Sequence, residues 1–286
     1  MSETLDLDHL RSWIGRTETC DDAISPWTAT ALAATLRNDG KPWPSGQALP
    51  PLWHWCYFLP TAPQNDLGED GHPARGGFLP PVQLPRRMWA GSQLEFTTPL
   101  QLGTPARKTA RIADVSLKQG KAGVLVFVKV AHEVRGLDGS LLLRDHHDIV
   151  YREAARPGET AAPQTPPAGA AWTVEHRPDA PLLFRYSALT FNSHRIHYDH
   201  PYATQVEGYA GLIVHGPLIA TLLLEAAQVR HPGQRVAGYS FKAVRPLVSG
   251  RLLKLRGHAP APEGNVTLWA EDEDGALLMQ AVARFA

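Results

Sequence analysis

The chain has 286 residues, long enough for two domains or one large one and for a substantial buried core. Lysine plus arginine and aspartate plus glutamate number 28 each, so the zero net charge gives no global footprint for nucleic acid or an anionic membrane. Two cysteines, Cys20 and Cys56, are too few for a disulfide framework or a thiolate metal cluster.

The first residues, MSETLDLDHLRSW, lack the basic start and apolar core of a signal peptide. Residues 26–37 (PWTATALAATLR) follow Ser25, a good N-cap, with Pro26 at the first helical position, and read as a helix. Residues 90–103 (AGSQLEFTTPLQLG) return at 237–250 (AGYSFKAVRPLVSG) at an offset of 147, sharing Ala-Gly, Pro-Leu and a final Gly. Behind each copy, two strand-like runs flank an Asp-Gly turn, Asp138-Gly139 and Asp274-Gly275, a strong hairpin signal. An internal duplication follows. Between the copies, residues 154–171 (AARPGETAAPQTPPAGAA) are rich in Pro and Ala and have no apolar period, so they read as a linker. The expected division is an N-terminal unit 1–153, a linker 154–171 and a C-terminal unit 172–286.

The most apolar long window is 211–229, GLIVHGPLIATLLLEAAQV. His215, Gly216, Pro217 and Glu225 interrupt it, so a buried helix over 217–230 is expected rather than a membrane span, in a soluble cytoplasmic protein. A buried helix followed by long hairpins, once per half, suggests two sheets each wrapped around a helix.

Residues 184–201, FRYSALTFNSHRIHYDHP, hold the chemistry. Thr190, Asn192, Ser193, His194, Arg195, His197, Asp199 and His200 fall within eleven residues, a density costly in a core and pointless in a linker. Further on, His-Gly-Pro opens the apolar helix, where free backbone N–H groups can receive a developing oxyanion. His194, His197 and His200 recur every three residues, which raises a metal site as an alternative. There is no HExxH, and Asn and Arg interrupt the string, so no metal is expected. His215 reads as a hydrogen-bonded structural histidine, the run Leu52-Trp53-His54-Trp55 reads as core, and His146-His147 are given no role.

The strings His197-Tyr198-Asp199 and Ile213-Val214-His215-Gly216 resemble the R-specific enoyl-CoA hydratases and 3-hydroxyacyl-thioester dehydratases of the MaoC type. The longer string LTFNSHRIHYD, with LPRRMWAG at 84–91, is similar to the branch of mesaconyl-C4-CoA and itaconyl-CoA hydratases and mitochondrial type 2 dehydratases. That resemblance implies an α+β double hotdog, two antiparallel sheets each around a central helix. It also implies reversible hydration of an acyl-CoA thioester, here a short branched dicarboxylic one such as mesaconyl-C4-CoA or itaconyl-CoA, as in itaconate degradation. The CoA thioester is the substrate, with no other cofactor, and a homo-oligomer is compatible. The N-terminal unit would complete the acyl pocket and bind part of CoA.

One departure stands out. Five residues before His197 the wider family has an aspartate, and this chain has Asn192; a gapped pairing puts Thr190 there instead. Asn cannot take a proton at neutral pH but can orient a water. The resemblance therefore makes His197 the proton-transfer residue, Asn192 the water holder and Gly216 the oxyanion donor, with Thr190, Asp199 and His194 as supporting candidates. Arg86, Arg87 and Arg195, with Trp89, are candidate substrate contacts, since a free carboxylate calls for an arginine fork. Three alternatives stay open: a dehydratase of straight-chain hydroxyacyl thioesters, a hotdog thioesterase, and a non-catalytic partner subunit.

Overall fold

The computed structural model describes residues 5–36, 41–120, 123–153, 163–259 and 264–286. The first nine residues of the expected linker, 154–162, lie outside the described residues. Ten antiparallel strands form one sheet: β1 (Thr17–Ala23), β2 (Arg86–Phe96), β3 (Pro105–Gly120), β4 (Gly123–Gly136), β5 (Leu141–Arg152), β6 (Trp172–His176), β7 (Val236–Ala243), β8 (Leu253–Gly257), β9 (Asn265–Asp272) and β10 (Leu277–Phe285). Four α-helices accompany it among the described residues: α1 (Leu7–Arg11), α2 (Pro26–Leu36), α3 (Ala180–Leu189) and α4 (Gly216–Gln228). No helix is long and apolar enough to cross a membrane among the described residues.

The strand order is β1-β3-β4-β5-β2-β7-β10-β9-β8-β6. Counted within its own half, each set of five has the order first, third, fourth, fifth, second. The two second strands, β2 and β7, meet at the centre. Their register pairs Gln93 with Ser240, which are 147 apart, so the repeat places each on its own counterpart at a pseudo-two-fold axis. The sequence repeat is therefore a structural one. Both Asp-Gly turns join strands as expected, with Gly139 at φ 85° and Gly275 at φ 78°, left-handed conformations that glycine adopts without strain.

The long helix α4 packs against β7, β8, β9 and β10. It buries nine residues, including Leu218, Leu222, Leu223 and Leu224. At ~1.5–3 kcal/mol for each large side chain buried, this face alone anchors the C-terminal half. The expected equivalence of the helices at 26–37 and 217–230 does not hold. α2 follows the first strand of its half as α3 follows β6, and α2 packs on α3. Where the C-terminal half has α4, the described part of the N-terminal half has only short 3-10 turns, Trp53–Cys56 and Gln64–Asp66. That chain covers the sheet by other means: Leu52, Trp53, Tyr57 and Phe58 join the main core, while Val82 and Leu84 close a second core over β3, β4 and β5.

Gly91 sits at the seam, opposite Lys242, and a Cβ there would overlap the Phe241 carbonyl oxygen. Gly91→Ala should lower stability by about 1–3 kcal/mol in one cooperative melt, because the whole sheet runs through this seam. Calorimetry of the variant checks this; an unchanged melting temperature would contradict the close approach.

Candidate active site

The loop between α3 and α4 carries the polar string and is held from within. Asp179 caps the start of α3 by accepting from Leu182 N at 3.0 Å. At the other end Phe191 adopts φ 48°, a left-handed conformation costing ~1–3 kcal/mol for a bulky residue. This turn lets Asn192 N donate to Ser187 O at 2.9 Å and Asn192 Oδ1 accept from His194 N at 3.0 Å. The following 3-10 turn, Arg195–His197, buries His197.

His197 Nδ1 donates to the Ile213 carbonyl at 2.7 Å. Because a carbonyl only accepts, the neutral ring carries its proton on Nδ1 and leaves the Nε2 lone pair available. Burial pushes the His197 pKa down to about 4; the Ile213 carbonyl opposes the shift and nearby His72 adds to it. The ring stacks on His215, centroids 3.6 Å apart and 18° from parallel. His215 in turn shares a 2.8 Å hydrogen bond between Nε2 and Ser187 Oγ, and burial holds it neutral. As N-cap of α4, His215 makes no side-chain cap bond, which leaves the first N–H groups of the helix unfilled by it. Gly216 opens on free space: a Cβ there would meet nothing within 4 Å. The helix N-terminus and the fixed imidazole are tied together through the Ile213–Gly216 segment.

Several expected participants are engaged elsewhere. Thr190 Oγ1 donates to Tyr186 O at 2.7 Å, closing the end of α3, so it is a structural hydroxyl. Asp199 does not orient His197: its Oδ2 takes Arg195 Nε at 2.9 Å and Nη2 at 2.7 Å, and its Oδ1 takes Tyr202 N at 3.1 Å. Arg195 is thereby committed, with its guanidinium 4.1 Å over the Tyr202 ring and Nη1 donating to Glu69 O at 3.0 Å. Arg86 pairs with the Glu207 carboxylate and donates to Glu207 O at 2.8 Å. Trp89 packs with its ring 4.0 Å from that of His147, in a cluster where Asp145 Oδ2 receives Trp55 Nε1 at 2.8 Å. His200 is exposed. A cavity of about 900 Å3 lined by Trp43, His54, Leu222 and Glu225 lies toward the far end of α4 from Gly216.

The sequence reading missed a second contributor. The loop 66–74 of the N-terminal half crosses to the C-terminal half and docks on residues 193–195. Ser193 Oγ donates to Gly71 O at 2.5 Å and Arg195 N to Asp70 O at 2.9 Å. Gly71 has φ 83°, and a Cβ on it would overlap the Ser193 carbonyl oxygen, so only glycine permits the approach. The loop thereby sets the His72 ring 4.1 Å from His194, whose ring is 5.5 Å from His197. His72 Nδ1 bonds Asp70 Oδ2 at 3.0 Å. Burial works to raise the Asp70 carboxyl, but the hydrogen bond and charge of His72 outweigh it and hold it well below its ordinary value. Arg87 lies within electrostatic reach of Asp70, His72, His194 and Tyr151. The only linear hint was the turn-like Gly68-Glu-Asp-Gly-His-Pro run, which says nothing about a partner 122 residues away.

Donor atoms of Asp70, His72 and His194 lie within 4.8 Å of one another, a set able to hold a metal ion. The Arg87 guanidinium beside them opposes a second positive charge and suits an anion instead. Of the histidine string read from the sequence, His194 alone belongs to this set.

Such a site, on a duplicated sheet around a buried helix, is that of a hotdog-type hydro-lyase, which protonates or deprotonates a carbon next to a stabilised thioester oxygen. The family model of hydroxyacyl-thioester dehydratase type 2 matches residues 52–249, and the chain belongs to this family. The mesaconyl-C4-CoA hydratase of Chloroflexus aurantiacus is 46% identical over 272 residues, covering 94% of this chain and 95% of that protein. The fold matches a MaoC-like dehydratase from Phytophthora capsici at a TM-score of 0.72 and 15% identity, with 99% of each chain covered. It also matches a Mycobacterium tuberculosis protein with a double hotdog fold at a TM-score of 0.57 and 14% identity, with 96% of each covered. The protein is a hydro-lyase with the α+β double hotdog fold.

The His197 environment has a direct consequence. Because the folded pKa, about 4, lies below the ordinary 6.5, the unfolded chain binds this proton more readily. The contribution of His197 to stability is complete above pH 6.5 and is lost as pH falls toward 4, about 3 kcal/mol in all. Nitrogen-15 NMR should show His197 as the neutral Nδ1-protonated tautomer from pH 8 down to 5; charging near pH 6.5 would contradict the assignment.

Proposed function

We propose that the protein catalyses the reversible hydration of mesaconyl-C4-CoA, or the related itaconyl-CoA, to citramalyl-CoA. The observation that carries this reading is Arg87. In mesaconyl-C4-CoA the carbon that receives the hydroxyl also bears the methyl group and the free carboxylate, so the anion must sit beside the attacking water. The Arg87 charge acts on His72 and His194, whose rings lie near His197, while Arg86 and Arg195 are held in ion pairs. The 46% identity to a mesaconyl-C4-CoA hydratase supports the same substrate.

With mesaconyl-C4-CoA, whose double bond is conjugated with the thioester, the carbonyl accepts a hydrogen bond from Gly216 N–H as it becomes an enolate. Removing such a donor typically costs ~10²–10³ in rate. Water rests on His197 Nε2, which takes a proton as the oxygen bonds to the β-carbon. Asn192 Oδ1 is already engaged by His194 N, so its Nδ2 is the group that holds the water. The N-terminal unit, through loop 66–74 and Arg87, completes the acyl pocket, and the CoA moiety lies across both units of a cytoplasmic enzyme.

His197→Ala should lower turnover at least a hundredfold, in keeping with a positioned base worth ~10²–10⁴. Arg87→Met should cut kcat/KM for mesaconyl-C4-CoA by roughly thirty- to several-thousand-fold, as expected when a buried charge loses its partner at ~2–5 kcal/mol. The same change should leave crotonyl-CoA, a poor substrate, nearly unaffected. Steady-state assays of both thioesters on parent, Arg86→Met and Arg87→Met make the comparison. Preference of the parent for crotonyl-CoA would instead mark a straight-chain dehydratase, and release of free CoA thiol without hydration would mark a thioesterase.

A further inference from the structure

Besides His215, stacked on His197, three imidazoles gather at the site, and they differ in what they face. His197 Nδ1 meets a carbonyl, His194 meets the His72 ring, and His72 Nδ1 meets the Asp70 carboxylate. A carbonyl selects a tautomer, whereas a carboxylate also stabilises the imidazolium. The Asp70–His72 geometry is fixed twice, because Asp70 Oδ1 also accepts His72 N at 3.0 Å. The His72 side chain is 23% exposed, so the ring remains reachable from outside. Its position is enforced by the Gly71–Ser193 approach, which an ordinary surface loop would not need.

We propose that His72, held by Asp70 as a positioning residue, is the second acid–base group of the hydratase site and donates the proton to the α-carbon. The pair would do the work of the carboxylate that the family carries where this chain has Asn192, and it arrives from the opposite half of the chain. This rests on the hydratase reading above. In the forward direction His197 Nε2 takes one proton of the water as its oxygen bonds to the β-carbon. The π pair of the double bond moves to the α-carbon as a thioester enolate. His72 in its imidazolium form then gives the Nε2 proton to that carbon. His197 ends protonated and His72 neutral. The proton returns through His194, whose ring lies between the two, so one water is added and nothing else is consumed.

The charges around His72 make this step depend on the substrate. Burial is the largest influence on His72 and disfavours the imidazolium, as do Arg87 from β2, Arg75 and charge on His194 or His197. Asp70 favours it, and the balance in the free enzyme lies below the ordinary histidine value. Tyr151 of β5 shares the neighbourhood of Arg87 and Asp70. A substrate carboxylate seated on Arg87 cancels the repulsion from that side. A carboxylate there shifts the balance toward the imidazolium, and an uncharged thioester brings no such shift.

Succinyl-CoA tests this without turnover, since it is saturated and bears a carboxylate on its β-carbon. Calorimetric titration at pH 7.5, in buffers of different ionisation enthalpy, should show uptake approaching one proton per site on binding. Butyryl-CoA should show none. His72→Gln and the isosteric Asp70→Asn should abolish the uptake while keeping the parental melting temperature. With mesaconyl-C4-CoA, His72→Gln should lose at least a hundredfold in kcat with KM within a few-fold. Asp70→Asn should lose tenfold or more and move the alkaline limb of kcat to lower pH. No proton uptake by the parent, or parental turnover by His72→Gln, overturns the role of the pair and leaves the hydratase reading intact. A parent that hydrates no enoyl-CoA removes both.

Discussion

Five residue pairs between β2 and β7, centred on Gln93 and Ser240, join the two halves into one sheet. Everything at the site depends on that seam. If the halves could shift, loop 66–74 would not meet residues 193–195 in a fixed place, and a histidine from one half could not lie 4.1 Å from a histidine of the other. The seam is also where backbone comes closest to backbone, which is why Gly91 stands on it. Rigid placement matters here because catalytic groups must sit within a fraction of an ångström of their reacting partners.

The electrostatic character of the site follows from burial. Desolvation keeps His194, His197 and His215 neutral, so stacked imidazoles coexist without repulsion. Against that neutral background Asp70 and Arg87 stand out as opposite charges entering from the N-terminal half. In a partly dry site such charges act far more strongly than they would in water. His194, His197 and His215 are set by the C-terminal half, whereas Asp70, His72 and Arg87 come from the N-terminal half.

The duplicated halves have diverged by what fills each sheet. The Asp-Gly turns align the halves at an offset of 136, which sets His132, Asp145 and His147 against Leu268, Ala281 and Ala283. The strand registers agree, since His132 pairs with Asp145 as Leu268 pairs with Ala281. In the C-terminal half these small and apolar residues sit in the core around α4. With no counterpart of α4 among its described residues, the N-terminal half instead keeps a buried polar cluster around Asp145, joined by His54 and Trp55 from the turn at Trp53–Cys56.

Local features were readable in the chain itself. The Asp-Gly hairpins, the apolar run of α4, the offset-147 repeat and the dense string at 190–200 all express short-range chemistry: turn conformations, side-chain periodicity and the cost of burying polar groups. From these, with the family resemblance, came the double sheet, His197 and the helix opening at Gly216. What the chain order could not show is which distant groups become neighbours. Asp199 and Arg195 looked available until the fold paired them with each other, and Arg86 until it met Glu207. Conversely, Asp70-Gly71-His72 looks like an ordinary turn, and it becomes part of the site only because the β2–β7 seam carries it across to Ser193. Backbone propensity and hydrophobic period act within about a dozen residues, whereas a contact spanning 122 residues exists only once the whole sheet has closed.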